Sequence, residues 1–209
     1  MKLLLFYFGL FLSYLCPSYI IIFSTKIRNH IYSGFKSRKF KKFGKHSLFH
    51  YPVFIKGEQS ISIGQKATIL EKCKITAWEK YNGYIFKPEI IIGDNVFMSN
   101  NCHITAINSI YIGNNVVFGN NITIADNSHG KVDFENMKTP PLKRKLYSKG
   151  KIIIKENVWI GDKTTILGNV TIGEGAVIGA NSVISKDIPA YSVVVGNSII
   201  LKVLDQKSI

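Results

Sequence analysis

The chain carries five histidines, and position sets one of them apart. In "ITIADNSHGK", from Ile122 to Lys131, an alternating apolar pattern ends at Ile124 and His129 follows five residues later. The pattern does not resume until Ile152. An imidazole with an ordinary pKa of about 6.5 is mostly neutral at neutral pH, so it can take the proton of a hydroxyl, itself a poor nucleophile. The competing reading of a lone loop histidine is a solvated side chain. His103 precedes His129 by 26 residues, so the His-x4-His spacing of a three-histidine metal site is missing. Cys16, Cys73 and Cys102 form no CxxC pair, and their odd number argues against a disulfide framework or a zinc ribbon. They fit a reducing compartment. The chemistry on offer is base catalysis by one imidazole, with no metal.

Such a residue needs a scaffold, and the scaffold is legible as a beat of six. Apolar residues recur at Ile63, Ile69 and Ile75, at Ile92, Met98 and Ile104, and at Ile112, Phe118 and Ile124. The beat then continues through Ile154, Ile160, Ile166, Ile172, Ile178 and Ile184. A helix needs a period near 3.6 and a plain strand a period of 2, so six predicts a short strand plus a corner, repeated. The fourth residue after each key position tends to be small or β-branched, as at Ala67, Cys73, Val96, Cys102 and Thr164, and should share the interior. The third is Asn or Gly from Asn95 to Asn181, except at Lys163, and these residues tolerate positive φ at a corner. Asp187 also departs from that rule. Grouped in threes, the key positions leave steps of 17 residues after Ile75, 8 after Ile104 and 30 after Ile124. Three strands therefore make one triangular turn of a parallel β-solenoid, and every insertion leaves the same corner. Loops thrown from one place on a rigid scaffold are where function concentrates.

The remainder of the chain is unlike this. Net charge is +14, and no acidic residue precedes Glu58, whereas ten basic ones do, from Lys2 to Lys56. The uncharged run "LLLFYFGLFLSYLCPSYIIIF", Leu3 to Phe23, is about long enough as a helix to cross 30 Å of hydrocarbon. Gly9 and Pro17 leave a shallow or re-entrant course open. No small-residue cleavage site follows, and the basic cluster lies on the wrong side for a signal peptide. Lys and Arg just after an apolar segment favour the cytoplasmic side and attract anionic lipid. Membrane lipid is thus the expected partner of the N-terminus, and His30, His46 and His50 should face lipid or solvent. The basic groups form no recognisable nucleic-acid reading motif, so no nucleic-acid partner is expected.

The hexads, the loop with its histidine, and "NVWIGDKTTILGNVTIGEGAVIGANSVISKDIPAYSVVVGN" together resemble the hexapeptide-repeat acyltransferases, and within them the galactoside/maltose O-acetyltransferase type. The resemblance runs from about Ile61 to Asn197. It implies a left-handed parallel β-helix; the periodicity itself does not give the hand. It implies acetyl-CoA as co-substrate, a homotrimer, and His129 as the catalytic base for direct attack of the acceptor on the thioester, without an acyl-enzyme. It also implies contacts to acetyl-CoA at Trp159, at the backbone of Asp162 and Ala180, and at Ser185 and Lys186. The family's acceptor-binding asparagine falls on Ser99, with Asn101 alongside, which points away from a galactoside.

The expectation is an all-β chain in three parts. Residues 1–50 associate with membrane through an apolar, helical and basic segment; residues 51–192 form the β-helix with loop 125–151; residues 193–209 are a tail. The expected activity is O-acetylation of a sugar hydroxyl on a cell-surface polysaccharide or its precursor, at the cytoplasmic face of a bacterial plasma membrane. N-acetylation of an amino sugar or nucleotide-sugar is the alternative, with a non-catalytic solenoid behind it. Lys143, Arg144, Lys145, Lys149 and Lys151 make the loop basic, so its acceptor could be anionic or lipid-linked. Asp126 and Asp133 are both near enough in sequence to orient His129.

Overall fold

The computed structural model describes residues 2–15 and 18–204. Cys16, Pro17 and the last five residues of the expected tail lie outside them. Among the described residues, three parallel sheets form the walls of a prism wound in six coils. Sheet 1 takes Lys42–Phe43, Ile61–Ile63, Glu89–Ile92, Ser109–Ile112, Ile152–Ile154 and Val170–Ile172. Sheet 2 runs from Leu48–Phe49 through Thr68–Ile69, Phe97–Met98, Val117–Phe118 and Trp159–Ile160 to Val177–Ile178. Sheet 3 takes Phe54–Lys56, Lys74–Ala77, His103–Ala106, Thr123–Ala125, Thr165–Leu167 and Val183–Ile184.

The beat of six is the interior. Each key residue stacks on its counterpart one coil away, as Ile75, Ile104, Ile124, Ile166 and Ile184 do in sheet 3. All of them are buried, and so are the fourth-position residues, including Cys73, Cys102 and Thr164. The corners behave as the composition predicts. Asn95, Asn101, Asn115, Asn121, Asn157, Asn169 and Asn181 have φ between 55° and 67°. Lys163 is no exception, with φ 59°, and Lys66 and Lys72 join it. Asparagine does more than tolerate the angle: Asn95 Nδ2 donates to Asn115 Oδ1 and Asn115 Nδ2 to Asn157 Oδ1, both at 3.1 Å. That ladder ties successive coils along one edge.

Both expected boundaries shift. The first coil begins at Lys42, ahead of residue 51, because Phe43, Phe49 and Ile55 continue the beat backwards with His46 (φ 62°) at the corner. His46 is thus a solvated corner of the solenoid. At the other end, Ser192–Val195 still pairs with sheet 2, and Ile199–Val203 folds back antiparallel on it, so the expected tail is partly strand.

Helices α1 (Lys2–Leu15) and α2 (Ser18–Ser37) precede the prism. No helix among the described residues is long and apolar enough to cross a membrane. The apolar run is divided between the two. α1 exposes Leu3, Leu4, Phe6, Phe8 and Phe11. α2 closes the open end of coil 1. Phe49 N–H donates to Ser33 Oγ (2.8 Å) and Tyr51 N–H to Asn29 Oδ1 (3.1 Å), while the Tyr32 hydroxyl donates to Val53 O (2.8 Å). These backbone donors have no earlier coil to bind, and an unpaired sheet edge is a liability.

Candidate functional site

Two insertions leave the edge between sheets 3 and 1. The first follows coil 2 and is a hairpin pairing Lys80–Tyr81 with Tyr84–Ile85. The second follows coil 4 and begins with Asn127–Ser128 pairing antiparallel to Tyr147–Ser148. That closed neck explains why the beat stops after Ile124 and resumes at Ile152: the chain goes out and returns at one place. The short step from Ile104 to Ile112 is fastened there by Asp126. Its buried carboxylate accepts from Ile107 N–H and Asn108 N–H, each at 2.9 Å. Burial pushes this carboxyl above its usual range, although the amide donors pull it back.

The sheet-3 edge places His129 on the neck, exposed, followed by Gly130 at φ 91°. Arg144 packs where a Cβ on Gly130 would project. It donates from Nε to Thr139 O (2.6 Å), from Nη2 to Met137 O (3.2 Å) and from Nη1 to His129 O (3.5 Å). This cation of the basic loop therefore holds the loop together. Neither sequence candidate orients His129: Asp126 fastens the corner, and Asp133 caps the short helix Phe134–Met137.

The group beside the imidazole is the Tyr81 hydroxyl, 3.4 Å from Nδ1. Tyr81 donates its proton to Leu142 O at 3.1 Å, and Asn82 Nδ2 donates to the same carbonyl. A phenol has one proton. A phenol that donates its proton to Leu142 O can only accept from His129, an arrangement that favours the N–H on Nδ1 and the lone pair on Nε2. Sequence reasoning missed Tyr81, which is 48 residues from His129.

His129 opens on a cleft of ≈430 Å³ over the outer face of sheet 3. Phe54, Lys74, His103 and Thr105 make its floor, with Trp78 and Tyr81 from the hairpin and Leu146 from the loop as walls. His103 is a strand residue facing this cleft. Burial and then Lys74 hold its pKa below the usual histidine value. No group of three or more His, Cys, Asp or Glu able to hold a metal occurs among the described residues.

The other sequence-selected residues lie elsewhere on the protomer. Ser99 and Asn101 sit on the edge between sheets 2 and 3, and so do Asp162 and Ala180. Asp162 Oδ1 accepts from Asn120 N–H at 2.8 Å, and its carbonyl accepts from Asn181 N–H at 2.8 Å. Trp159 stands on the outer face of sheet 2 between Val117 and Val177, 57% exposed. Ser185 and Lys186 follow coil 6 on the same edge as His129 but two coils beyond it; Ser185 N–H donates to Ser198 Oγ (3.0 Å). The chain thus brings together His129, Tyr81, His103 and Lys74, and leaves Ser99, Asn101, Trp159, Asp162 and Ala180 on other faces and edges and Ser185 and Lys186 two coils away.

A prism of hexads with a histidine-bearing loop on one edge defines a class, and comparison with known proteins gives it a name. The family described as "Bacterial transferase hexapeptide (six repeats)" matches residues 151–186, the uninterrupted coils. The "Putative lipopolysaccharide biosynthesis O-acetyl transferase WbbJ" of Escherichia coli is 31% identical over 153 residues, 71% of this chain and 74% of that protein. Among solved structures, a mutant of AntD, an N-acyltransferase from Bacillus cereus in complex with dTDP-4-amino-4,6-dideoxyglucose and coenzyme A, superposes with a TM-score of 0.66. It is 20% identical and covers 84% of this chain and 90% of its own. The hexapeptide-repeat acetyltransferase VCA0836 from Vibrio cholerae, complexed with acetyl coenzyme A, gives 0.55 at 23% identity over 83% and 76%. The chain belongs to the hexapeptide-repeat transferases and is an acyltransferase.

Proposed function

We propose that the protein transfers an acetyl group from acetyl-CoA to a sugar hydroxyl of a cell-surface polysaccharide or its precursor, with His129 as general base. The observation that carries this is the imidazole at the mouth of the cleft, its Nδ1 turned to Tyr81 and its Nε2 free for an acceptor. The acceptor oxygen attacks the thioester carbonyl as its proton moves to Nε2. The C–S bond then breaks, and the proton is returned to the CoA sulfur. No acyl-enzyme is needed. Kinship with an enzyme named for O-acetyl transfer favours an ester product over an amide. Hydroxylamine treatment separates the two, releasing acetyl from an ester and leaving an amide intact.

The residues read as acetyl-CoA contacts, Trp159, Asp162, Ala180, Ser185 and Lys186, all belong to the last two coils or directly follow them, whereas the cleft is lined by coils 1 to 3, the first insertion and the loop that follows coil 4. Acetyl-CoA would therefore reach His129 from one end of the prism and the acceptor from the other. Because Trp159 and Asp162 lie off the His129 edge, we take the working unit to be a homotrimer of left-handed prisms. In it, Ser99, Asn101 and Trp159 of one copy face the loop of the next. The exposed apolar column Phe97, Val117 and Trp159 on sheet 2 supports that packing. The apolar α1 and the basic residues from Lys26 to Lys45 support attachment to the cytoplasmic face of the plasma membrane. The test is thioester consumption with a glycan acceptor: His129→Ala should lose at least about 10² in turnover and keep acetyl-CoA binding. Equal turnover would remove the base.

A further inference from the structure

The cleft beside His129 carries a cation from sheet 3 as well as the basic loop above it. Of the loop cations, Arg144 is spent on loop carbonyls and Lys145 lies over the Tyr84 ring at 5.1 Å. The cation that lines the cleft is Lys74 of sheet 3. Its ammonium is 5.7 Å from the Phe54 ring centroid, and it is in none of the ion pairs found among the described residues. Lys56, one coil below, rests 3.7 Å from the centroid of Trp78, the cleft's wall. Among the described residues no carboxylate lines the cleft. The nearest in sequence are committed elsewhere, Glu79 accepting from Ser60 Oγ (2.7 Å) and Asp126 from backbone amides. Several polar side chains of the cleft are also committed, since Trp78 Nε1 and Asn127 Nδ2 both donate to Thr105 Oγ1.

What remains is an aromatic surface with an unpaired cation at one end and the base at the other. Pyranose rings present C–H faces that suit aromatic walls, and an unpaired ammonium in a cleft without carboxylates suits a phosphate. A volume of ≈430 Å³ is in the small-molecule range of about 300–1,000 Å³. We propose that this cleft is the acceptor subsite and that its acceptor is a glycosyl phosphate, with the sugar against Trp78 and Phe54 and the phosphate on Lys74. The proposal rests on the acyltransferase reading for its purpose, but its test needs no turnover. Nucleotide-linked and lipid-linked sugars share the recognised group.

The chain has two tryptophans, so Trp159→Phe leaves Trp78 as the one indole reporter. Glucose, galactose and N-acetylglucosamine, each free and as the 1-phosphate, are titrated into the full-length variant. At least one 1-phosphate should bind about tenfold or more tighter than its parent sugar. Lys74→Gln in the same background should erase that preference, and Lys149→Gln should keep it. The UDP-sugar, and the same sugar on polyprenyl phosphate in vesicles, then identify the source: tighter binding of one over the other names it. Equal affinity for all three phosphorylated and free pairs, or an undiminished preference in Lys74→Gln, overturns the proposal. Retained transfer in His129→Ala would sink the base and leave this subsite standing.

Discussion

The two ends of the prism share one interior and the same left-handed corners, and differ at the edge between sheets 3 and 1. Coils 5 and 6 run from Ile152 to Ile184 without interruption, with corners of left-handed Asn, Lys or Gly. Coils 1 to 4 bury the same stack but are interrupted at the edge between sheets 3 and 1, and they carry the aromatic and cationic residues of the cleft. In the proposed function the regular end would carry acetyl-CoA, a co-substrate of constant shape, and the irregular end would hold the acceptor. The interior is the common currency of both halves, so damage to it should not distinguish them, whereas damage at the interrupted edge should alter chemistry without altering the fold.

The sharpest way to break the comparison is His129→Ala. Turnover should fall by about 10²–10⁴ while thermal unfolding stays within a degree or two, because the side chain is exposed and packs in no core. A coincident loss of stability would place the residue in the scaffold instead. Interior truncations test the opposite half of the argument. Ile124→Ala beside the loop and Ile166→Ala in the regular coils should each cost about 2–5 kcal/mol in denaturant unfolding, because both are fully buried in the same column. A much smaller cost at Ile124 would mean that the interrupted half is loosely packed.

Tyr81→Phe discriminates more finely. Of the two hydrogen bonds the hydroxyl makes, losing the one to His129 should cost about 0.5–1.5 kcal/mol, or roughly two- to thirteenfold in kcat, with KM for acetyl-CoA unchanged. The readout specific to positioning is ¹⁵N NMR of His129. The wild type should hold its proton on Nδ1, and the variant should show a mixture of tautomers. An unchanged spectrum would relegate Tyr81 to packing.

The same contrast governs what the sequence discloses. Periodicity is a property of packing, so the interior, the left-handed corners and the point of departure of every insertion are written in residues six apart. Coil 1 is written there too. Phe43, Phe49 and Ile55 keep the interval, and the step of 8 from Ile55 to Ile63 repeats that from Ile104 to Ile112. Aromatic side chains in a strongly basic segment conceal it from a search for isoleucine. The cleft is a different matter. Lys74 and Tyr81 come to His129 from coil 2 and the hairpin that follows it, and His103 from coil 3, and no local pattern encodes such a meeting. The shared edge of departure predicted that the two insertions would be neighbours. Which side chains would touch depended on a hairpin and an irregular loop whose course no period describes.

The smallest effect concerns the floor of the cleft. Burial and the neighbouring Lys74 disfavour protonation of His103 in the folded state, so its folded pKa lies below the unfolded value of about 6.5. A depressed pKa means that the unfolded chain binds the extra proton more readily. The stability that His103 contributes is therefore complete above about pH 6.5 and is lost as pH falls from there through the folded pKa. His129 is the other imidazole at the cleft, and among the described residues no carboxylate lines it to offset the effect. Lys74→Gln removes the lesser of the two causes, so NMR titration should find the His103 pKa raised part of the way toward 6.5 and the low-pH loss of stability reduced. Burial remains in that variant, so a return all the way to 6.5 would mean that Lys74, and not the enclosing walls, sets the electrostatics of the irregular half.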